Sequence, residues 1–255
     1  MELAKLQAVV SGGASGLGLA VVKRIIAEGG QAAILDVNEA QGQETAAALG
    51  ERALFFKTDV SDDAAVIASV DAAAKAFGGI NLAVSCAGIL GAGRVLGREG
   101  PMAGDYFAKV IMVNLVGTFQ LAKAAAAQMQ HNEPNAEGER GVIVNTASVA
   151  AFEGQVGQAA YSASKAGVAG MALPLAREFA RLGIRVNTIA PGIFLTPMME
   201  GMPEHIQQSL AAQVPFPSRL GRPDEFADMV ACICTSPMLN AETIRLDGAI
   251  RMQPK

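Results

Sequence analysis

Seven short apolar runs alternate with six helical patterns along this chain, and that alternation restricts the fold more than any single motif does. The strand-like runs are Gln7–Val10, Ala32–Asp36, Leu54–Thr58, Asn81–Ser85, Val142–Thr146, Ile184–Ile189 and Thr243–Leu246. Helices are predicted near Leu17–Glu28, Ala40–Leu49, Asp63–Phe77, Asp105–Met129, Gln158–Leu182 and Pro223–Thr235. Strands that alternate with helices imply a parallel sheet with right-handed crossovers. A run such as Ala32-Ala33-Ile34-Leu35 lacks polar alternation, which fits a strand covered on both faces. The expected fold class is therefore α/β: a single Rossmann-type, doubly wound parallel sheet of about seven strands, with helices on both faces, spanning residues 1–255 as one domain.

Composition narrows the function classes. Hydrophobic residues make up 51% of the chain and charged ones 17%, which excludes a disordered chain. A formal net charge of −4 argues against broad electrostatic binding to nucleic acid or an anionic membrane, so neither is expected as a partner. No uninterrupted apolar run reaches about eighteen residues, so no membrane span is expected. Cys86, Cys232 and Cys234 are odd in number and, with His131 and His205, show no metal-ligand spacing. No metal is expected, and the cysteine usage fits a reducing compartment. The first strand-like run begins at Gln7, leaving no room for a leader, so the expected location is the cytoplasm. The polar stretch 131–141 reads as a surface loop. Residues 196–222 hold four prolines together with Met198, Met199 and Met202, and interrupt the β–α rhythm. They read either as a mobile lid at the carboxyl edge of the sheet, where ligands of such folds bind, or as a long surface connector.

The segment Ser11-Gly12-Gly13-Ala14-Ser15-Gly16-Leu17-Gly18 joins the first strand to the first helix. Glycines there allow a tight turn and close approach of a pyrophosphate, and the helix N-terminus supplies free N–H groups. Asp36 ends the second strand, eighteen residues after Gly18. A carboxylate in that place accepts the two hydroxyls of an adenosine ribose and repels a 2′-phosphate, so NAD is expected over NADP. Read by itself, Asp36 could also be an ordinary turn residue. Asp59 and Val60 follow the third strand and suit an adenine pocket, while Cys86, Ala87 and Gly88 follow the fourth, where small residues leave room for a dinucleotide.

Tyr161 and Lys165 lie four residues apart in a predicted helix, with Ser148 thirteen positions before the tyrosine. Residues i and i+4 share a helix face, so a phenol and an ammonium can enter one pocket. A free phenol, with a pKa near ~10, is a poor base at neutral pH. A neighbouring cation would lower that pKa and make the pair an acid–base device for a hydroxyl proton.

Together these pieces resemble the short-chain dehydrogenase/reductase family across essentially the whole chain: Gly12–Gly18, Cys86-Ala87-Gly88, Asn114, Ser148, Tyr161–Lys165 and Pro191-Gly192. Ser11 stands where a threonine is usual in that family, and Cys86 where an asparagine is common. The resemblance implies Tyr161 as general base, Lys165 as its tuning cation and a nicotinamide-ribose ligand, and Ser148 as the hydrogen-bond donor to the substrate oxygen. It implies that Asn114 helps hold a water leading from Lys165 to solvent; from the residue alone, Asn114 is equally a buried polar group satisfied locally. It adds Pro191, Phe194 and Thr196 to the cofactor contacts and Gln158 to the substrate contacts, and it implies a homotetramer. The runs 145–161, 213–221 and 244–252 are similar to the 3-hydroxyacyl-CoA dehydrogenase branch of the family. The expected substrate is thus a (S)-3-hydroxyacyl-CoA in fatty-acid or branched-chain acyl-CoA breakdown, in a bacterial member of that branch. A hydroxysteroid or other hydrophobic secondary alcohol is the alternative, and a NAD-bound scaffold a third reading. Arg94 and Arg98 read either as contacts for a CoA phosphate or, as is commoner for arginine, as surface charges.

Overall fold

Seven strands pair in the order β3-β2-β1-β4-β7-β8-β9, every pairing parallel. The computed structural model describes residues 1–98 and 100–254, and only the backbone of Met198. Its elements in chain order are β1 (Gln7–Ser11), α1 (Gly16–Ala27), β2 (Gln31–Asp36), α2 (Glu39–Leu49), β3 (Ala53–Lys57), α3 (Asp63–Phe77) and β4 (Leu82–Ser85). A two-stranded ribbon follows, β5 (Leu96–Gly97) and β6 (Gly100–Pro101), and then α4 (Gly104–Ile111), α5 (Gly117–Met129), β7 (Gly141–Thr146) and α6 (Ala159–Phe179). The chain closes with β8 (Ile184–Pro191), α7 (Pro197–Glu200), α8 (Glu204–Ala211), α9 (Pro223–Thr235) and β9 (Thr243–Leu246).

The expected Rossmann-like architecture holds, with strand ends within two residues of their predicted places. Three local features depart from the sequence reading. The helix expected over 105–129 runs from α4 to α5 but contains a π turn at Met112–Val116. The β5–β6 ribbon and the short helices α7 and α8 carry too few residues for a periodic signal. The segment from Gly104 to Met129 is long and apolar enough to match a membrane span, yet 56% of its most apolar window is buried. It packs against α3, α6 and the sheet, as a core helix does.

Side-chain alternation along the strands sends two apolar sets to opposite faces. Val9, Leu35, Ala83, Ile143 and Val186 pack under α3, α5 and α6. Val10, Ile34, Leu82, Val144 and Ile189 pack under α1 and α9, whose Val22, Ile25, Phe226 and Val230 complete that layer. Local chemistry starts the helices: the Asp62 carboxylate accepts from the amides of Ala64 and Ala65 at 3.0 and 3.2 Å, and Asn38 Oδ1 accepts from Gln41 N at 3.3 Å. Because all seven strands run the same way, the loops after β1, β2, β4, β7 and β8 open on one edge. The sheet order turns back between β1 and β4, which is where a doubly wound fold leaves a crevice.

The far edge is pinned by a buried ion pair. Arg185 Nε meets Glu139 Oε1 at 2.7 Å, with both side chains under 10% exposed. The other guanidinium nitrogens donate to the carbonyls of Ile233, Leu239 and Cys234 at 2.9, 2.7 and 3.2 Å, tying β8 to the end of α9. Removing Arg185 leaves Glu139 with the Met1 ammonium at 3.2 Å as its ion-pair partner and takes the donors from three carbonyls. Arg185→Met is therefore expected to lower unfolding free energy by about 3 kcal/mol, the low end of the cost of a broken buried pair, seen as a lower urea midpoint at unchanged slope.

Candidate active site

The loop after β1 and the first turn of α1 form one end of the site. Gly12 adopts φ +65°, and a Cβ there would lie 2.8 Å from Ala87 N, so the turn closes only without a side chain. A Cβ on Gly18 would run into the Gly12 carbonyl oxygen. Ser15 precedes α1 without any side-chain cap, so the first amides of the helix remain available to a ligand. The Asp36 carboxylate is braced on the same turn: Oδ2 accepts from Ala14 N at 3.2 Å and Oδ1 from Asn38 N at 3.0 Å.

These groups line a cleft of about 480 Å³. Gly12, Ser15, Gly16, Leu17, Gly18, Asp36, Asp59, Val60, Cys86, Ala87, Gly88 and Thr196 all border it, as the sequence reading expected. Glycine-lined walls, uncapped amides and a carboxylate at the far end fit a dinucleotide. Asp59 itself is exposed, and its carboxyl sits below the usual range because it accepts from the Ser61 hydroxyl and amide at 2.7 and 2.9 Å. Sequence reasoning missed Val37, Thr58, Ile89 and Val113, apolar or small residues without a chemical signature.

A second cavity of about 410 Å³ adjoins the first and shares Leu17, Cys86, Gly88, Ile89 and Thr196 with it. Ser148, Gln158, Tyr161, Lys165, Pro191 and Phe194 line it. Ser148 follows β7 and starts a single 3₁₀ turn, its hydroxyl oxygen accepting from Ala150 N at 3.1 Å. Tyr161 and Lys165 come from the first turns of α6, with the Lys165 ammonium 5.8 Å from the Tyr161 ring centroid. Lys165 is 5% exposed and donates to the Thr146 carbonyl at 2.8 Å. Burial pushes its pKa down to about 8, partly opposed by the nearby Cys86 thiol. Burial in turn lifts the Cys86 thiol to about 11, so it is not a thiolate nucleophile.

Burial disfavours the phenolate and lifts the Tyr161 phenol above its ordinary value, where a neighbouring cation was expected to lower it; a hydrogen bond with Ser148 opposes the rise.

Asn114 lies in the π turn, fully buried behind this wall. Its Oδ1 accepts from Ile89 N at 2.8 Å, and its Nδ2 donates to Ile89 O at 2.9 Å and to Ser164 Oγ at 3.1 Å. The side chain is thus satisfied locally and fastens the loop after β4 to α6. Its Oδ1 would lie 3.1 Å from a Cβ on Gly88, so a side chain at that position, which borders both cavities, would crowd Asn114. Arg94 and Arg98 are exposed and border neither cavity. Met199, Met202 and Leu210 from 196–222 do border the second one, while the Met198 side chain lies outside the described residues. Sequence reasoning missed Leu90, Val149, Gln155 and Met252 there, and missed the Thr146 carbonyl, which no side-chain pattern reports.

A family model described as short chain dehydrogenase matches residues 7–207. The chain is 51% identical over 251 residues to a Homo sapiens protein named 3-hydroxyacyl-CoA dehydrogenase type-2, covering 98% of this chain and 96% of that one. It is 48% identical over 248 residues to the Drosophila melanogaster protein of that name, covering 96% and 97%. The crystal structure of 3-hydroxyacyl-CoA dehydrogenase type-2 from Mycobacterium avium matches with a TM-score of 0.92 at 45% identity, covering 97% of this chain and 96% of that chain.

The chain has two tyrosines and no tryptophan, so its phenols can be titrated by ultraviolet absorbance with little interference. In a Tyr106→Phe background, removing the Ser148 hydroxyl by Ser148→Ala is expected to move the Tyr161 titration to higher pH. Loss of the one bond that favours the phenolate can act in no other direction.

Proposed function

The chain belongs to the short-chain dehydrogenase family and is an oxidoreductase, and on that premise we propose that it oxidises (S)-3-hydroxyacyl-CoA to 3-oxoacyl-CoA with NAD. The reading is carried by one observation: Ser148, Tyr161 and Lys165 line a cavity that opens, past Cys86 and Gly88, on the glycine-walled cleft. The names of the relatives, at about half identity over nearly full length, support the acyl-CoA substrate.

When bound, NAD supplies a hydride acceptor at the carbinol carbon. The glycine turn and the first amides of α1 hold its pyrophosphate, Asp36 its adenosine ribose, and Lys165 its nicotinamide ribose. Tyr161 removes the hydroxyl proton during oxidation and returns it during reduction. Ser148 donates a hydrogen bond to the same substrate oxygen and, through its bond to the phenol, lowers the cost of the phenolate. The walls Met199, Met202 and Leu210 exclude water and adapt to an acyl chain, with residues 196–222 serving as the lid. Asp36 selects NAD over NADP: at ~4 Å and an effective dielectric near 20, it opposes a 2′-phosphate by about 4 kcal/mol per unit charge, reduced by its partial exposure. The proposal includes a cytoplasmic homotetramer. It is supported by the half-exposed Met112, Phe119 and Leu173 on the long helices, and light scattering would return four times the 26.2 kDa chain.

The purified protein is expected to oxidise NADH with acetoacetyl-CoA, and faster than NADPH. A preference for ketosteroids in the same assay would replace the acyl-CoA reading with the steroid one. Tyr161→Phe is expected to lose at least ~10² in kcat while still binding NADH; normal turnover would remove Tyr161 as the acid–base group.

A further inference from the structure

The last residues of the chain lie against the substrate cavity. Met252, the last residue of the run 244–252, borders it. This segment is held by several bonds, and all of them reach back to the loop that carries Ser148 or to β9. Gln155 Nε2 donates to the Gln253 carbonyl at 2.9 Å, and Val156 N donates to the Pro254 carbonyl at 3.0 Å. Arg245 Nη2 donates to the Ile250 carbonyl at 3.0 Å. That same Nη2, together with Nη1, forms a two-bond pair with Glu153 at 2.9 and 2.8 Å, and Nε donates to Asp247 at 2.7 Å. Gln155 is itself fixed, since its amide donates to Gln158 Oε1 at 3.0 Å, directly before α6. Gln158, expected from the sequence to meet the substrate, therefore spends that oxygen on this chain of contacts.

We infer that Met252 is a specificity-determining residue: a fixed wall of the acyl site that limits the substrate's carbon chain, with Gln155 and Arg245 as its positioning residues. The inference rests on the acyl-CoA reading above and goes beyond it by naming the group that selects among acyl chains. The physical basis is the pinning. A side chain on a loose terminus would yield to a longer acyl group, whereas one whose backbone neighbours are bonded on both sides cannot withdraw. Met199, Met202 and Leu210 line the same cavity, so apolar side chains surround the acyl chain and the site gains or loses affinity by volume.

The test is a series of 3-oxoacyl-CoA substrates, four to twelve carbons long, assayed by NADH oxidation with the wild type, Met252→Ala and Met252→Phe. Met252→Ala is expected to raise kcat/KM for long chains relative to the four-carbon one by about 10-fold, and Met252→Phe to lower it by a similar factor, the range expected for a methylene or more in an apolar pocket. Gln155→Ala, which frees the Gln253 carbonyl, is expected to shift the ratio in the direction of Met252→Ala, through KM more than kcat and with NADH affinity unchanged. A ratio that stays constant in both Met252 variants, while the wild type turns over the series, overturns the inference and leaves the acyl-CoA reading standing. A wild type inactive on the whole series overturns both.

Discussion

One buried hydrogen bond organises the catalytic end of this protein. The Lys165 ammonium, almost without solvent, donates to the carbonyl of Thr146 at the end of β7. An unpaired cation in that place would be costly, and the drop of its pKa to about 8 measures the strain of keeping it there. The bond sets the rotation of α6 over the sheet. Tyr161, one helical turn earlier on the same face, is then aimed at the space beside Ser148, which leaves the same strand two residues after Thr146. Phenol, ammonium and hydroxyl are thereby referenced to a single strand end.

The parallel sheet does the rest of the gathering. Groups from β1, β2, β4, β7 and β8 meet on one edge although they are spread from Gly12 to Thr196 along the chain. Asn114 joins two of these parts from behind, clamping the loop after β4 and bonding to Ser164 of α6. The π turn that holds it widens the helix at that point, an irregularity that often accompanies a functional site. Oxidoreductase chemistry in this fold thus depends on the rigidity of loops backed by a fully covered sheet.

Away from the reacting atoms, the wall of the substrate cavity is built differently. Arg245 links Glu153, Asp247 and the Ile250 carbonyl and lies 5.4 Å from the Phe152 ring. It holds the Glu153 carboxyl below its usual range. Two segments far apart in sequence, the loop after β7 and the chain end, are made into one surface by this cluster. The lining residues Met199 and Leu210 come from α7 and α8, helices of four and eight residues.

The alternation of apolar runs and helical patterns was enough to determine the sheet, its parallel sense and which strand ends would bear chemistry. The Gly12–Gly18 turn, Asp36, and the Ser148, Tyr161 and Lys165 set were equally legible, because each is a side-chain type, or a lack of one, at a fixed local spacing. What sequence could not supply came from long-range packing. The Tyr161 phenol is raised rather than lowered, because burial outweighs the hydrogen bond with Ser148 that opposes it. The Thr146 carbonyl is a backbone group, identical in every residue, and only the fold brings it to Lys165. Met252 and Gln155 lie in the runs 244–252 and 145–161, yet nothing in those runs says that the two residues share one wall, and tertiary structure alone makes them neighbours of the site. Local spacing reports what lies within a turn or two of chain, whereas desolvation and cavity walls are set by atoms that share space and not sequence.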